Sequence, residues 1–179
     1  MPSPIGHLAV GYALSRTASP YFPELTTRWK RLLFLGVVLF ISMAPDLDAL
    51  VGMLRDDLGR YHNQFSHSLS MGLVAALAAG SAGRICFGRG FARWRGLGLI
   101  AYSLHVVMDA VTLGRGVRLF WPVTSERFQS PLLLFYGLHW SNGLVSWQHL
   151  VTLANEIPIA ATVIWLAHRR RGEAVISHQ

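Results

Sequence analysis

The sequence predicts an all-α protein, a polytopic membrane helical bundle of about four transmembrane helices with a short N-terminal helix. Three observations carry that expectation. Hydrophobic residues make up 52% of the 179-residue chain and charged residues only 14%, against about a quarter in soluble domains. The apolar residues gather into runs that can cross a bilayer core, which takes roughly 20 residues. The basic residues lie in clusters between those runs, where they act as topology signals. With no repeat or long linker, residues 1–179 are expected to form one membrane-embedded domain. The formal charge of +7 is read in that membrane setting, and no nucleic-acid partner is expected. A single cysteine, Cys86, excludes an internal disulfide and a cysteine-based zinc site. The opening MPSPIGHLAV lacks a basic n-region and a clear cleavage site, so it is not read as a signal peptide.

Residues 5–18 are apolar and small, short for a full span, and Pro20 and Pro23 close the helix they suggest. Residues 32–54 form the first full span, about 35 Å of helix at 1.5 Å per residue. Pro45 breaks its far part beside Asp46 and Asp48, and carboxylates there are too costly to face lipid. Residues 62–68, HNQFSHS, run into a span opening near Phe65 and ending near Gly83, whose Ala, Gly and Ser suit close packing. Residues 96–122, GLGLIAYSLHVVMDAVTLGRGVRLFWP, hold the next span and the feature around which the chain is organised. Within it His105 and Asp109 project from one helical face, one turn apart, and can grip one metal ion or orient one another. Residues 131–146 are apolar but interrupted by His139, Ser141, Asn142 and Gly143, as in an interfacial or re-entrant piece. Residues 147–167 make the last span, with His149, Asn155 and Glu156 inside and a kink expected at Pro158.

Alternation of the four spans fixes an orientation. It groups Arg16, the cluster at 28–31, the loop at 84–95 and the C-terminal arginines on one side, eleven basic residues in all. Arg55, Arg60, Arg115, Arg118 and Arg127 lie on the other, so the first side is cytoplasmic. His7, Asp46, Asp48, His62, His67, His105 and Asp109 then fall together between mid-membrane and the outer surface. A lone histidine on a membrane helix often does no more than bond a neighbour, and His139 and His168 are read that way or as mere interface residues. Asp56 and Asp57 suit a solvated turn, and His178 a frayed tail. Seven costly groups in one zone point instead to a shared polar site.

Histidine and carboxylate ligands without cysteine suit zinc, with manganese and iron as alternatives, and the several aspartates allow two or three ions. Such ions can bind a phosphate, activate a water and stabilise a leaving oxygen. With no cofactor loop and no serine or cysteine nucleophile pattern, hydrolysis by metal-activated water is the economical chemistry. The depth of the site suggests a membrane lipid or lipid-linked phosphate as substrate, held by Arg60, Arg115 and Arg118. It would enter from the extracytoplasmic leaflet past Tyr61, Phe65 and Trp121. Asp46 or Glu156 could take the proton from the water. Asp46 and Asp48 cannot share a regular helical face, so one is expected to bind metal and the other to orient a histidine. The alternative is a transporter or an ion or proton pathway, since intramembrane His, Asp and Glu also build relays. A conduit needs polar groups in both halves of the membrane, and residues 32–44 and 163–167 are nearly bare of them. A catalytically silent scaffold that keeps metal for stability would use the same residues.

Gly6-His7, Pro45-Asp46-Leu47-Asp48, His62 to Ser68, Leu104-His105 through Asp109 and Thr112, and Trp121-Pro122 occur in this order. Together they resemble the motifs of a bacterial inner-membrane, metal-dependent hydrolase family, the one that includes a LexA-regulated membrane protein. That family is remotely similar to the zinc-dependent phospholipase C and P1 nuclease group, helical bundles that use zinc clusters on phosphodiesters. The resemblance implies four spans, a multi-pass place in the bacterial inner membrane and a metal-dependent hydrolase. It places metal ligands at His7, one of Asp46 or Asp48, His67 and the His105/Asp109 pair. The full expected ligand set is His7, Asp48, His62, His67, His105 and Asp109, with Asp46 and Glu156 as the catalytic carboxylates. Two departures stand out. The family's HRxxTHS motif has Arg and Thr where this chain has Asn63 and Ser66. A phosphate contact by that Arg would here pass to Arg60, Arg115 or Arg118. The soluble group's second HxxxD/E pair is missing, and His149 and Glu156, seven apart on one helical face, could substitute for it.

Overall fold

A computed structural model describes residues 1–88, 90–138 and 146–176, apart from the side chains of 58, 59 and 170–176. His139, Ser141, Asn142, Gly143 and His178 lie outside the described residues. Five long helices carry the fold: α1 (Pro4–Ala18), α2 (Arg28–Met43), α5 (Leu69–Phe87), α6 (Phe91–Ala110) and α7 (Gln148–Ile176). Between α2 and α5 come a 3-10 turn (Ala44–Asp46) and two short helices, α3 (Leu47–Leu54) and α4 (Leu58–Tyr61). The architecture is the helical membrane bundle that the sequence predicts. Residues 111–138 after α6 are irregular and carry two isolated bridges, Thr112 with Phe135 and Val117 with Phe128.

Local chemistry sets the helix ends. Ser3 is extended and Pro4 occupies the first turn of α1, where its missing N–H is no loss. Thr27 caps α2 by accepting from the Lys30 N–H. Proline cannot donate to the helical ladder, so the chain tightens into the 3-10 turn at Pro45 and resumes as α3. Ser68 caps α5 through the Met71 N–H. The span expected from Phe65 therefore begins at Leu69, and His67 sits in the turn before it. At the other boundary α6 starts at Phe91 rather than Gly96. Pro158 lies inside α7 without ending it.

Cross-helix bonds show how the helices run. Ser3 meets Glu156 at one end of α1, and Tyr12 and Arg16 meet His168 at the other. The ring of His105 reaches the Ser42 carbonyl, while Trp94 donates to Glu24 and stacks on Phe87. So α1, α5 and α7 run away from the end that holds His7 and Asp109, and α2 and α6 run towards it. His168 bonds a neighbouring helix, as expected.

Packing divides along the same axis. Phe22, Leu25, Phe34, Val38, Trp94 and Leu97 fill the end distant from His105. Ile41, Ala79, Ala101, Tyr102, Val106, Ala110 and Val117 form the floor beneath His105 and Asp109. Ten residues of α6 are buried, His105 and Asp109 among them. A Cβ on Gly98 would stand 2.6 Å from the Ala79 side chain, so glycine is what lets α5 press against α6. Three stretches, Arg28–Leu54, Leu69–Phe87 and Gln148–Arg169, are long and apolar enough to cross a membrane. They turn Leu33, Phe40, Leu73, Leu77, Ile157 and Trp165 outward, faces that suit lipid. The fourth expected span is α6. Its 20 residues give the length, about 30 Å, but its apolarity is diluted by Arg93, Arg95, His105 and Asp109. Half of its residues are buried against protein.

Candidate metal centre

Asp46 ends the 3-10 turn, His67 sits in the turn that Ser68 caps, and His105 and Asp109 stand one turn apart on α6. The fold brings one atom from each to within 4.8 Å of all the others. Asp46 Oδ1 is 3.4 Å from both His67 Nε2 and His105 Nε2. Those two nitrogens are 3.3 Å apart. Asp109 Oδ2 is 3.1 Å from His67 Nε2 and 3.9 Å from His105 Nε2. Two ligands about 2.1 Å from one ion at the tetrahedral angle stand roughly 3.4 Å apart. Four of these five edges, at 3.1–3.4 Å, thus lie close to the separations that one ion would impose, and the edge from Asp109 to His105 is longer, at 3.9 Å.

The proton positions point the same way. His105 Nδ1 lies 2.7 Å from the Ser42 carbonyl oxygen, which can only accept, so that nitrogen carries the proton and Nε2 presents a lone pair. His67 Nδ1 faces Asp48 Oδ2 at 3.3 Å and Ser66 Oγ at 3.1 Å. The Ser66 hydroxyl donates to that same Asp48 oxygen, so His67 Nδ1 is a donor too. Two lone pairs and two carboxylate oxygens then face one another. Both oxygens of Asp46 and of Asp109 are buried without a hydrogen-bond donor. Acceptors buried against acceptors are costly, and one cation relieves all of them. Nitrogen and oxygen donors without sulfur suit zinc, manganese or iron, and imidazoles held at Nδ1 are how metal-binding histidines are oriented.

Asp48 does the orienting. Its Oδ1 accepts from His62 Nδ1 at 2.6 Å, and its Oδ2 accepts from Ser66. Asp48, His62 and His67 also form a close trio. A separation of 2.6 Å is a hydrogen bond, however, and an ion between the pair would need roughly 3.4 Å. Asp46, expected as the base, stands among the atoms of the four-residue set, and Asp48, expected as a ligand, lies against the rings of His62 and His67. The 3-10 turn points Asp46 inward and leaves Asp48 on the first turn of α3. Tyr102 fixes the turn that carries His67 by donating to the Ser66 carbonyl at 2.7 Å.

His62 turns its Nε2 towards Asp46 Oδ1 at 4.0 Å, and that nitrogen is buried without a hydrogen-bond partner. His7 stacks on His105, ring centroids 3.7 Å apart, and its Nε2 is 3.3 Å from Asp109 Oδ1. Neither His7 nitrogen has a hydrogen-bond partner. Asp109 thus offers one oxygen to the four-atom set and the other to His7, a starting pair for a second ion. The side chains of His7, His67, His105 and Asp109 are sealed, whereas Asp46 keeps 9% and Asp48 14% exposure. Access comes from the two aspartates' side.

Glu156 does not join this set. Both its oxygens accept from the Ser3 backbone N–H at 2.9 Å, and Oε2 also accepts from the Ser3 hydroxyl. Its carboxylate anchors the start of α1, which leaves it poorly placed as a base. His149 lies in the first turn of α7. Arg60 is exposed, its guanidinium 6.0 Å from the Tyr61 ring. Arg115 donates to the His62 carbonyl, and Arg118 keeps a buried Nε without a partner. Arg127 donates to the carbonyls of Asn63 and Gly116, both at 3.0 Å. In the sequence Arg127 reads only as an outer-side charge. Its place beside the HNQFSHS turn depends on a bridge that no local motif announces.

A family model described as YdjM inner membrane protein matches residues 1–174. Inner membrane protein YbcI of Escherichia coli (strain K12) is 35% identical over 136 residues, 73% of each chain. No solved structure matches. Both descriptions give a membrane location, and neither names a reaction or a likeness to phospholipase C. Near-complete coverage by the family model and the level of identity to the relative agree: the chain belongs to the YdjM inner membrane protein family.

Proposed function

We propose that this protein is a membrane-bound, metal-dependent hydrolase that cleaves a phosphoester of a lipid or lipid-linked substrate in the bacterial inner membrane. The observation that carries the reading is the four-atom set of Asp46, His67, His105 and Asp109, in which both carboxylates are left without a donor. These residues would hold a divalent ion, zinc first and manganese or iron next. A bound ion of this kind supplies Lewis acidity and lowers the pKa of a water. The chain's own residues do the rest. Asp48 holds His62 by its Nδ1–H, and His62 Nε2 is left facing Asp46, where it can take a proton from a water at the centre. Aspartate behind an imidazole keeps the required tautomer and steadies the charge the ring gains. Phe65 and Trp121, with ring centroids 5.5 Å apart, flank the approach.

Charge supports an extracytoplasmic site. Arg16, Arg28, Lys30, Arg31, Arg93 and Arg95 belong to the end of the bundle distant from the centre, and basic ends stay in the cytoplasm. The pathway reading has less support. A conduit needs polar groups along its whole course, and the far half is packed with Phe22, Phe34, Val38, Trp94 and Leu97.

Proteoliposomes of known orientation, offered phosphomonoester and phosphodiester lipids, test the proposal. The expected result is hydrolysis that needs zinc or manganese and acts on substrate at the face opposite Arg93 and Arg95. His105→Ala should insert normally yet lose metal and hydrolysis together. Ion flux without hydrolysis, or turnover untouched by His105→Ala, would sink it.

A further inference from the structure

The irregular chain after α6 builds a second, basic feature beside the metal centre. Val117 and Phe128 exchange backbone hydrogen bonds of 2.9 and 2.7 Å, which lays residues 115–118 alongside 127–128. Gly116 makes this possible. It adopts φ +71°, and a Cβ there would stand 2.5 Å from the Phe128 carbonyl oxygen. The pairing gathers Arg115, Arg118 and Arg127 on one small scaffold. Arg115 grips the carbonyl of His62, and Arg127 that of Asn63, the next residue. Arg118 keeps its buried Nε without a partner. Among the described residues, neither Arg118 nor Arg127 forms an ion pair with a carboxylate. Burial, and after it the charges of Arg115 and Arg118, lower the pKa of Arg127. Like charges held together in a partly buried place repel, and an anion between them is the direct remedy.

We infer that Arg115, Arg118 and Arg127 form a receptor for one phosphate group, monoester or diester, on the His62 edge of the metal centre. Guanidinium forks match phosphate oxygens in pairs, which suits three arginines to this anion better than lysines would be suited. The place is informative. His62 anchors Arg115 through its carbonyl and turns its ring towards Asp46, so a phosphate held here stands beside the centre. Phe65, Phe120 and Phe128, each 41–51% exposed, add an apolar surface near the receptor, suited to a phosphate that carries an apolar chain. The inference deepens the hydrolase reading by assigning the substrate's charged group, yet phosphate affinity does not itself require the metal.

The test uses the full-length protein in phosphatidylcholine nanodiscs. Calorimetry measures the binding of inorganic phosphate, and native mass spectrometry measures phosphatidic acid retained from nanodiscs that contain it. Arg118→Gln and Arg127→Gln should each weaken binding by about tenfold or more, the usual worth of a charge-assisted hydrogen bond. Arg127→Lys, which keeps the charge and a donor, should lose less. Thermal unfolding of Arg118→Gln, expected to match wild type because no hydrogen bond at Nε is lost, separates lost binding from lost folding. Losses on both probes identify a general phosphate receptor, losses on phosphatidic acid alone a lipid headgroup site, and losses on inorganic phosphate alone a free-phosphate site. Any of these supports the receptor. Wild-type protein that binds neither probe, or variants that bind as tightly as wild type, would overturn it. His105→Ala should keep its phosphate affinity while losing metal. Receptor binding without any hydrolysis would leave this inference standing and remove the hydrolase reading.

Discussion

Replacing Asp48 by Asn separates a residue that orients ligands from one that supplies them. In the wild type Asp48 accepts from His62 Nδ1 at 2.6 Å and from Ser66, and faces His67 Nδ1 at 3.3 Å. Asn keeps one acceptor oxygen, loses the charge and turns an amide donor towards groups that already donate. His67 would then lose the partner that fixes its tautomer, while His105 keeps the Ser42 carbonyl. Loss of such an orienting partner weakens metal affinity by about 10- to 100-fold, or roughly 1.4–2.7 kcal/mol. Asp46→Asn removes an anionic ligand itself and should exceed that range, with metal lost on dialysis. Competition against a chromophoric chelator reads both affinities, and elemental mass spectrometry checks the stoichiometry. Equal losses, or a greater loss at Asp48, would refute the division of roles.

Two further outcomes follow from the same geometry. His62→Gln should retain metal but lower hydrolysis by roughly 100- to 10,000-fold, the range for a general base; loss of metal with activity would make His62 a ligand instead. Glu156→Ala strips the partner from the Ser3 N–H and hydroxyl. It should destabilise the protein by about 2 kcal/mol or more, since hydrogen bonds to buried charge are worth roughly 1.5–3 kcal/mol each. The folded fraction should still bind metal, as measured by thermal unfolding beside metal content; a variant as stable as wild type that lost hydrolysis would restore Glu156 as a catalytic carboxylate.

Much of this protein is legible along the chain because the relevant signals are local. His105 and Asp109 are four residues apart, so helix geometry alone puts them on one face. Pro45 announces its break, and the cost of seven polar groups in an apolar chain announces that they meet. What stayed hidden depends on distant partners or on fine backbone geometry. Ser3 and Glu156 are 153 residues apart, and nothing near either predicts their bond. The early start of α6 rests on packing of Trp94 against Phe22, Phe34 and Phe87 and on its bond to Glu24. The inward turn of Asp46 and the place of Asp48 beside His62 and His67 come from a single 3-10 turn. Ser68 moved His67 out of its expected helix, a capping signal that was present in the sequence but outweighed by the apolar run. Arg127 reached the HNQFSHS turn through the Val117–Phe128 pairing, across a stretch with no regular structure to read.

X-ray absorption spectroscopy of the purified, detergent-solubilised protein, with elemental analysis of the same sample, tests the central claim most directly. The account predicts at least one tightly held transition-metal ion per chain, surrounded by nitrogen and oxygen at about 2.0–2.2 Å with imidazole scattering and no sulfur. His105→Ala should abolish that signal while leaving the protein folded. Wild-type protein without stoichiometric metal, or His105→Ala protein that holds the same ion in the same environment, would contradict it.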